Sequence, residues 1–84
     1  MRSLENKVVA ITGAGSGFGR ATALGVAARK GIPVLLDVNE AGLAETAALL
    51  KAKSTKFASH RLDVRDAAQW AAVADAVIKE FGRV

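Results

Sequence analysis

Four glycines at alternate positions form the stretch of this sequence best suited to bind a ligand. They lie in Thr12–Gly19, which reads Thr-Gly-Ala-Gly-Ser-Gly-Phe-Gly, between an apolar run and a segment of helical character. Glycines let an anion approach the backbone closely, and a helix N-terminus offers unpaired N–H groups and a partial positive charge. The stretch therefore predicts a phosphate-binding loop at a strand-to-helix junction, since a turn without a ligand needs fewer glycines.

The spacing of these glycines excludes two common phosphate-binding patterns. G-x-G-x-x-G fails because its third position falls on Phe18 or Arg20, and the triphosphate loop fails because no Lys-Ser or Lys-Thr pair follows Gly19. The pattern that fits is Thr-Gly-x-x-x-Gly-x-Gly, on Thr12, Gly13, Gly17 and Gly19. We therefore expect the loop to bind the pyrophosphate of a dinucleotide.

Asp37 is the candidate for recognition of the adenosine ribose. It ends the second predicted strand, where an acid of a nucleotide-binding βαβ unit hydrogen-bonds the ribose hydroxyls. An acid there also repels a 2′-phosphate. Because Ser16 is neutral and no arginine directly follows Asp37, we expect NAD rather than NADP. The alternative is that Asp37 serves the next helix terminus, although Asn39 is better placed to do so.

Asp63 and Val64 are the candidates for the adenine end of the same crevice. They follow the third predicted strand, whose carboxyl end should lie beside that of the second. Asp63 could accept a hydrogen bond from the adenine amino group, and Val64 could flank the ring. The alternative is that Asp63 only begins the turn before Asp66.

Apolar runs and capping residues predict three strands that alternate with three helices. Gly31 is expected to end the first helix in a left-handed conformation, Asn39 to cap the second, and Asp66 with Gln69 to form a capping box for the third. The predicted strands are Lys7–Thr12, Val34–Val38 and Lys56–Leu62, and the predicted helices are Gly17–Lys30, Glu40–Lys53 and a third that ends at Phe81 before Gly82. The pattern predicts an α/β fold, a Rossmann-like βαβαβα three-layer unit with a parallel sheet, truncated before a fourth strand that would begin at Arg83-Val84.

Composition limits the classes of partner. The net charge is +4 and there is no cysteine. The basic residues are dispersed, several of them near predicted helix ends, which argues against a nucleic-acid partner. No apolar run approaches the roughly 20 residues that span a bilayer, so we expect no membrane partner and a cytoplasmic protein.

The glycine pattern of Thr12–Gly19, Asp37 and the pair Asp63-Val64 together resemble the N-terminal cofactor half of the short-chain dehydrogenase/reductase family. The resemblance covers essentially all of residues 1–84. The segments Leu4–Val8 and Phe81–Val84 are also similar to that family. The resemblance implies a partial NAD(P)-binding Rossmann-fold domain and hydride transfer between a nicotinamide and an alcohol or carbonyl. It implies that Thr12 braces the turn and that the pyrophosphate is lined by Gly13, Ser16, Gly17, Phe18 and Gly19. Phe18 departs from the isoleucine or leucine usual in the family and would narrow the pocket.

The catalytic groups of that family have no counterpart in this sequence. The family uses a tyrosine, a lysine four positions later, a serine and an asparagine, and this chain contains no tyrosine. His60 lacks an acid at a spacing that suggests a triad, and no cluster has metal-ligand spacing. We expect these 84 residues to be inactive alone and to be the cofactor-binding part of an oxidoreductase. The alternative is a non-catalytic nucleotide-binding or interaction module.

The strand order of the family has a consequence for association. The fourth strand pairs beside the first, so without it the first strand presents an open hydrogen-bonding edge. We therefore expect residues 1–84 alone to self-associate through that edge. Intact members of the family are often homo-oligomers.

Overall fold

The computed structural model describes residues 3–63 and 65–82. Val64 and the expected fourth-strand start at Arg83-Val84 lie outside these residues. The elements are β1 (Val8–Thr12), α1 (Gly17–Ala28), β2 (Ile32–Asp37), α2 (Glu40–Ala52), β3 (Ala58–Arg61) and α3 (Ala67–Phe81). The predicted βαβαβα order is therefore confirmed.

The three strands form one parallel sheet in the order β1-β2-β3. Thr12 pairs with Leu36 between β1 and β2, and Asp37 pairs with Arg61 between β2 and β3. This register brings the carboxyl ends of all three strands to one edge of the sheet, where a parallel sheet binds its ligands. Among the described strands β1 is an edge strand, and self-association through it stays a prediction.

Strand β2 begins at Ile32, two residues earlier than expected, and includes Pro33. The Ile32 N–H donates to the Lys7 carbonyl at 2.8 Å, on the β1 side. Successive residues of a strand direct their N–H groups to opposite neighbours, so position 33 faces the β3 side. Pairing with β3 starts only at Val34 and Ala58. A proline is tolerated here because no β3 partner is yet alongside.

Two apolar clusters occupy the two faces of the sheet and confirm the three-layer arrangement. Successive side chains of β2 point to opposite faces, so Leu35 joins one cluster while Val34 and Leu36 join the other. The first cluster packs under α1 and α2, and the second lies under α3. Their buried members are Ile11, Ala14, Ala23, Val26, Leu35, Leu43 and Leu50 in the first, and Val8, Ile32, Val34, Leu36, Leu62 and Val77 in the second.

The end of α1 differs from the expectation for Gly31. The left-handed residue is Lys30, with φ of 68°, and Gly31 does not have a positive φ. The Lys30 N–H donates to the Ala27 carbonyl at 3.0 Å and the Gly31 N–H to the Val26 carbonyl at 2.9 Å, which is a Schellman motif. Gly31 is needed for space, because a Cβ there would lie 2.7 Å from Val26 Cγ1.

Replacing Lys30 with glycine should raise the free energy of unfolding by about 0.5–1 kcal/mol, because glycine adopts a positive φ without steric cost. Urea denaturation measures the change. The matched control is Lys79→Gly within α3, which should lower stability by about 1 kcal/mol because its φ is helical. A loss of stability in Lys30→Gly would contradict the left-handed assignment.

The N-terminal caps of α2 and α3 follow the prediction with one exception. Asn39 accepts a hydrogen bond from Gly42 N–H at 3.0 Å, and Asp66 accepts one from Gln69 N–H at 3.1 Å. The reciprocal bond of the predicted capping box does not form. The Gln69 side chain accepts from Asp63 N–H at 3.0 Å instead, because the Asp66 N–H already donates to the Asp63 carbonyl at 2.9 Å.

Candidate nucleotide-binding site

A crevice of about 330 Å³ lies at the carboxyl ends of the three strands. It brings together three residues expected in the site, namely Gly13, Asp37 and Asp63. Its other lining residues are Thr12, Leu36, Val38, Leu62 and Arg65. Ser16, Gly17, Phe18 and Gly19 are not in its lining and form the adjoining start of α1. The volume is in the range of small-molecule sites.

The glycines of the loop serve two different purposes. Gly13 and Gly17 have φ of 65° and 55°, and a Cβ at either position would have nothing within 4 Å. These two positions combine a backbone that favours glycine with open space for a ligand. Gly19 has the opposite surroundings, because a Cβ there would overlap the Gly13 carbonyl. Gly19 therefore lets α1 start directly against the loop.

The start of α1 suits an anion. Ser16 is the N-cap residue in an extended conformation, its side chain makes no capping hydrogen bond, and the first turn contains no acidic residue. A helix start without a side-chain cap leaves its N–H groups to water or to a ligand. The backbone N–H groups at the start of α1 are therefore suited to hold a pyrophosphate. Gly13 and Gly17 leave open space beside them.

Asp37 connects the loop to the start of α2. Its Oδ2 accepts a hydrogen bond from Gly15 N–H at 2.9 Å, and its Oδ1 accepts one from Asn39 N–H at 3.1 Å. The alternative role at the next helix terminus is thus part of the structure, while Asn39 supplies the cap itself. A carboxylate has about four acceptor positions, so the two oxygens can still accept from ribose hydroxyls.

Asp63 forms a bidentate ion pair with Arg65. Arg65 was not identified from the sequence as a residue of the site. Arg65 Nε lies 3.1 Å from Oδ1, and Nη2 lies 3.0 Å from Oδ2. The Arg65 backbone N–H also donates to Oδ1 at 2.9 Å. These hydrogen bonds, first that of the side chain and then that of the backbone, lower the pKa of Asp63 to about 2, and the pair raises the pKa of Arg65. An adenine amino group would meet an Asp63 carboxylate that Arg65 already engages.

Replacing Arg65 with methionine should raise the pKa of Asp63 from about 2 toward its ordinary 3.8, because the main donor is lost. Because folding lowers the pKa of Asp63, its ionised carboxylate stabilises the folded state above about pH 3.8. This stabilisation is lost as the pH falls through about 2. Carboxyl chemical shifts in an NMR titration measure the pKa of Asp63. Arg61→Met is the control and should shift the pKa less, since Arg61 contributes only through its charge. A pKa unchanged in Arg65→Met would contradict the ion pair.

Four further residues at the loop were not identified from the sequence as site residues: Gly15, Arg20, Gly42 and Thr46. A Cβ on Gly15 would lie 2.7 Å from Asp37 Oδ2, and a Cβ on Gly42 would lie 2.6 Å from the Gly15 carbonyl oxygen. The loop and α2 therefore meet through two glycines. The sequence offered one clue to this contact, because Thr46 is a polar residue beside the apolar stripe of α2. In the structure Thr46 is fully buried.

Phe18 and His60 have contrasting surroundings. The Phe18 side chain is 94% exposed at the start of α1, and its expected place in the lining of the pyrophosphate stays a prediction. His60 pairs in register with Leu36 and is absent from the crevice lining. Within residues 3–63 and 65–82, no three His, Asp or Glu side chains are grouped so as to hold a metal ion.

No helix in the described part of the chain is long and apolar enough to cross a membrane.

Comparison with known proteins gives a consistent assignment. The sequence profile of the short chain dehydrogenase family matches residues 7–84. The SadH protein of Mycobacterium tuberculosis is 46% identical over 84 residues, which cover 100% of this chain and 30% of that protein. A short chain dehydrogenase/reductase from Burkholderia phymatum, crystallised in complex with NAD, is 45% identical with a TM-score of 0.93, covering 100% of this chain and 30% of that one. An NAD+-bound xylitol dehydrogenase is 31% identical with a TM-score of 0.92, covering 99% and 32%.

This chain is much shorter than the relatives that it matches. The chain spans about 30% of the length of the relatives that it matches, and the match in each of them extends over nearly the whole of this chain. The similarity therefore concerns the glycine loop, the three strands and the three helices described above.

Proposed function

Because the chain belongs to the short chain dehydrogenase family, we propose that it is the NAD-binding N-terminal part of an oxidoreductase. The whole protein transfers hydride between a nicotinamide cofactor and an alcohol or carbonyl substrate. The observation that carries this proposal is the crevice, where the glycine loop, Asp37 and Asp63 share one edge of the sheet.

The pyrophosphate, the ribose and the adenine of the cofactor each have a group of this chain to hold them. The pyrophosphate binds the N–H groups at the start of α1, over the open space at Gly13 and Gly17. The ribose hydroxyls donate to Asp37. Adenine occupies the cavity beside Asp63, with Val64 as its expected flank. When bound, the nicotinamide supplies the hydride-accepting or hydride-donating carbon, and this chain fixes its position through the pyrophosphate.

The preference for NAD over NADP rests on charge. Asp37 is held at the crevice by Gly15 N–H and Asn39 N–H, so its carboxylate cannot easily turn away from a 2′-phosphate. Two negative groups placed together cost several kcal/mol. NAD complexes among the similar structures support the same choice.

The proton chemistry of the reaction belongs to groups outside these 84 residues, since they include no tyrosine. We propose the cytoplasm as the location, because a protein part without cysteine suits a reducing compartment.

Titration calorimetry of the full-length protein tests the cofactor proposal. NAD should bind at least about tenfold more tightly than NADP, which corresponds to about 1.4 kcal/mol. Gly17→Val is the site-blocked control and should not bind either dinucleotide, because its side chain occupies the open space and strains a φ of 55°. Equal binding of NAD by Gly17→Val and the wild type would overturn the proposed pyrophosphate site at the glycine loop.

The alternative is a non-catalytic nucleotide-binding module, favoured by the absence of a tyrosine in these 84 residues. Formation of NADH from NAD and a panel of alcohols, followed at its absorbance, separates the two. NAD binding without any hydride transfer across the panel would favour the module.

A further inference from the structure

A group of polar contacts on the far side of the glycine loop is not explained by cofactor binding. Arg20 lies in the first turns of α1, and Thr46 lies near the middle of α2. Arg20 Nε donates to Thr46 Oγ1 at 2.9 Å, and Arg20 Nη2 donates to the Gly15 carbonyl at 2.5 Å. One guanidinium therefore joins the loop, α1 and α2.

Thr46 extends these contacts to the neighbouring loop residue. Its side chain is fully buried, and its hydroxyl carries one proton. The hydroxyl lies 2.7 Å from the Ala14 carbonyl and 3.2 Å from the Gly42 carbonyl, so we assign the proton to Ala14. The Gly42 carbonyl has a second donor in Arg20 Nη2 at 3.3 Å. The hydroxyl thus accepts from Arg20 and donates to the loop.

We propose that Arg20 and Thr46 form a clamp that holds the carbonyls of Ala14 and Gly15, so that the backbone of the glycine loop keeps the conformation that leaves the start of α1 open to a pyrophosphate. Both are positioning residues, and the proposal rests on the proposed NAD binding.

The geometry explains why two carbonyls must be held. A peptide unit is planar, so the orientation of a carbonyl fixes that of the next N–H along the chain. The Gly15 N–H lies in the same peptide as the Ala14 carbonyl and donates to Asp37 Oδ2 at 2.9 Å. The peptide after it carries the Gly15 carbonyl and the Ser16 N–H. The clamp therefore orients two successive peptides between Gly13 and the start of α1.

The arrangement argues against a purely electrostatic role for Arg20. Its Nε and Nη2 donate to Thr46, Gly15 and Gly42, all of them protein groups on the α2 side of the loop. Glu45 Oε1 lies 3.5 Å from Nη2 and offsets part of its charge. A lysine at position 20 would keep the charge without the fork of donors that reaches both Thr46 and Gly15.

The experiment compares Thr46→Val with Thr46→Ser, and Arg20→Lys with the wild type, in the full-length protein. Two quantities are measured. The first is the ratio of the dissociation constants for NAD and for adenosine, which lacks the pyrophosphate. The second is amide hydrogen exchange without ligand, in residues 13–17 relative to α3. Denaturation midpoints of all variants are measured alongside.

The clamp predicts that Thr46→Val and Arg20→Lys weaken NAD binding by about tenfold and leave adenosine binding within about twofold. They should also speed exchange in the loop but not in α3. Thr46→Ser keeps the hydroxyl and should restore both quantities. Glu45→Gln is the matched control on the exposed ion pair and should behave as the wild type.

Three outcomes would overturn the clamp. Equal loss of NAD and adenosine binding would show a general loss of structure. Wild-type NAD binding in Arg20→Lys would show that charge alone matters. Unchanged loop exchange in Thr46→Val would show that the hydroxyl does not order the loop. Absence of NAD binding in the wild type overturns the proposed function instead, and the exchange measurement still decides whether the clamp exists.

Discussion

Replacing Gly19 with alanine should lower the free energy of unfolding by about 3 kcal/mol and weaken NAD binding by about 100-fold. The added Cβ would overlap the Gly13 carbonyl and lie 2.9 Å from Ala14 Cα. Both are backbone atoms, so relief requires the loop to move away from α1, and overpacking of this kind costs about 1–3 kcal/mol or more. The displaced loop would no longer keep open the space beside the α1 start where we propose that the pyrophosphate binds. Chemical denaturation and calorimetric titration with NAD measure the two effects.

The same helix supplies the control. Gly25 also lies in α1, but a Cβ there would have nothing within 4 Å. Gly25→Ala should raise stability by about 0.5–1 kcal/mol through helix propensity and should leave the affinity for NAD unchanged. If Gly19→Ala proves as stable as Gly25→Ala, the close approach between Gly13 and Gly19 is wrong.

Replacing Asp37 with alanine should weaken NAD binding by about 10- to 100-fold and reduce the preference for NAD over NADP. Hydrogen bonds to a charged group contribute about 1.5–3 kcal/mol, and the ribose would lose such an acceptor. The variant should also lose about 1–2 kcal/mol of stability, because the N–H groups of Gly15 and Asn39 lose their acceptor. NADP should bind the variant as well as or better than the wild type, since the repulsion is removed.

Two further variants separate charge from hydrogen bonding at this position. Asp37→Asn keeps one oxygen acceptor without the charge, and should relax the exclusion of NADP while retaining part of the stability. Asp75→Ala removes the same charge from an exposed position on α3 and should change neither cofactor affinity. Unaltered affinities for both cofactors in Asp37→Ala would remove Asp37 from the site.

Local signals in the sequence were sufficient to predict the order of elements, and with it the edge of the sheet where the candidate site lies. Buried strand β2 is a continuous apolar run bounded by Gly31 and Asp37, and strands of this kind are recognisable without a partner. Asn39 and Asp66 cap helices through bonds that reach only three residues. The glycine pattern likewise depends on positions close together in the chain, so its spacing was informative.

Features that depend on distant residues could not be predicted in the same way. Gly31 was expected to supply the left-handed turn, but Val26 crowds its position and Lys30 takes the positive φ instead. Gln69 was expected to bond its own N-cap, but the turn at Asp63 offers it another donor. The contact of Gly42 with Gly15, and the bond of Thr46 to Ala14, join positions that only the βαβ crossover brings together.

The hydrogen bond from Thr46 to Ala14 has a consequence for biosynthesis. The two residues are 32 positions apart, and synthesis proceeds from the N-terminus at about 5–20 residues per second. While the chain grows on the ribosome, the glycine segment emerges first, yet its shape depends on Asp37, Gly42 and Thr46, which emerge later. The proposed cofactor site is therefore completed only after α2 has docked, so we expect the cofactor to give a nascent chain no stability before that stage. We therefore expect any folding assisted by the cofactor to come late in synthesis.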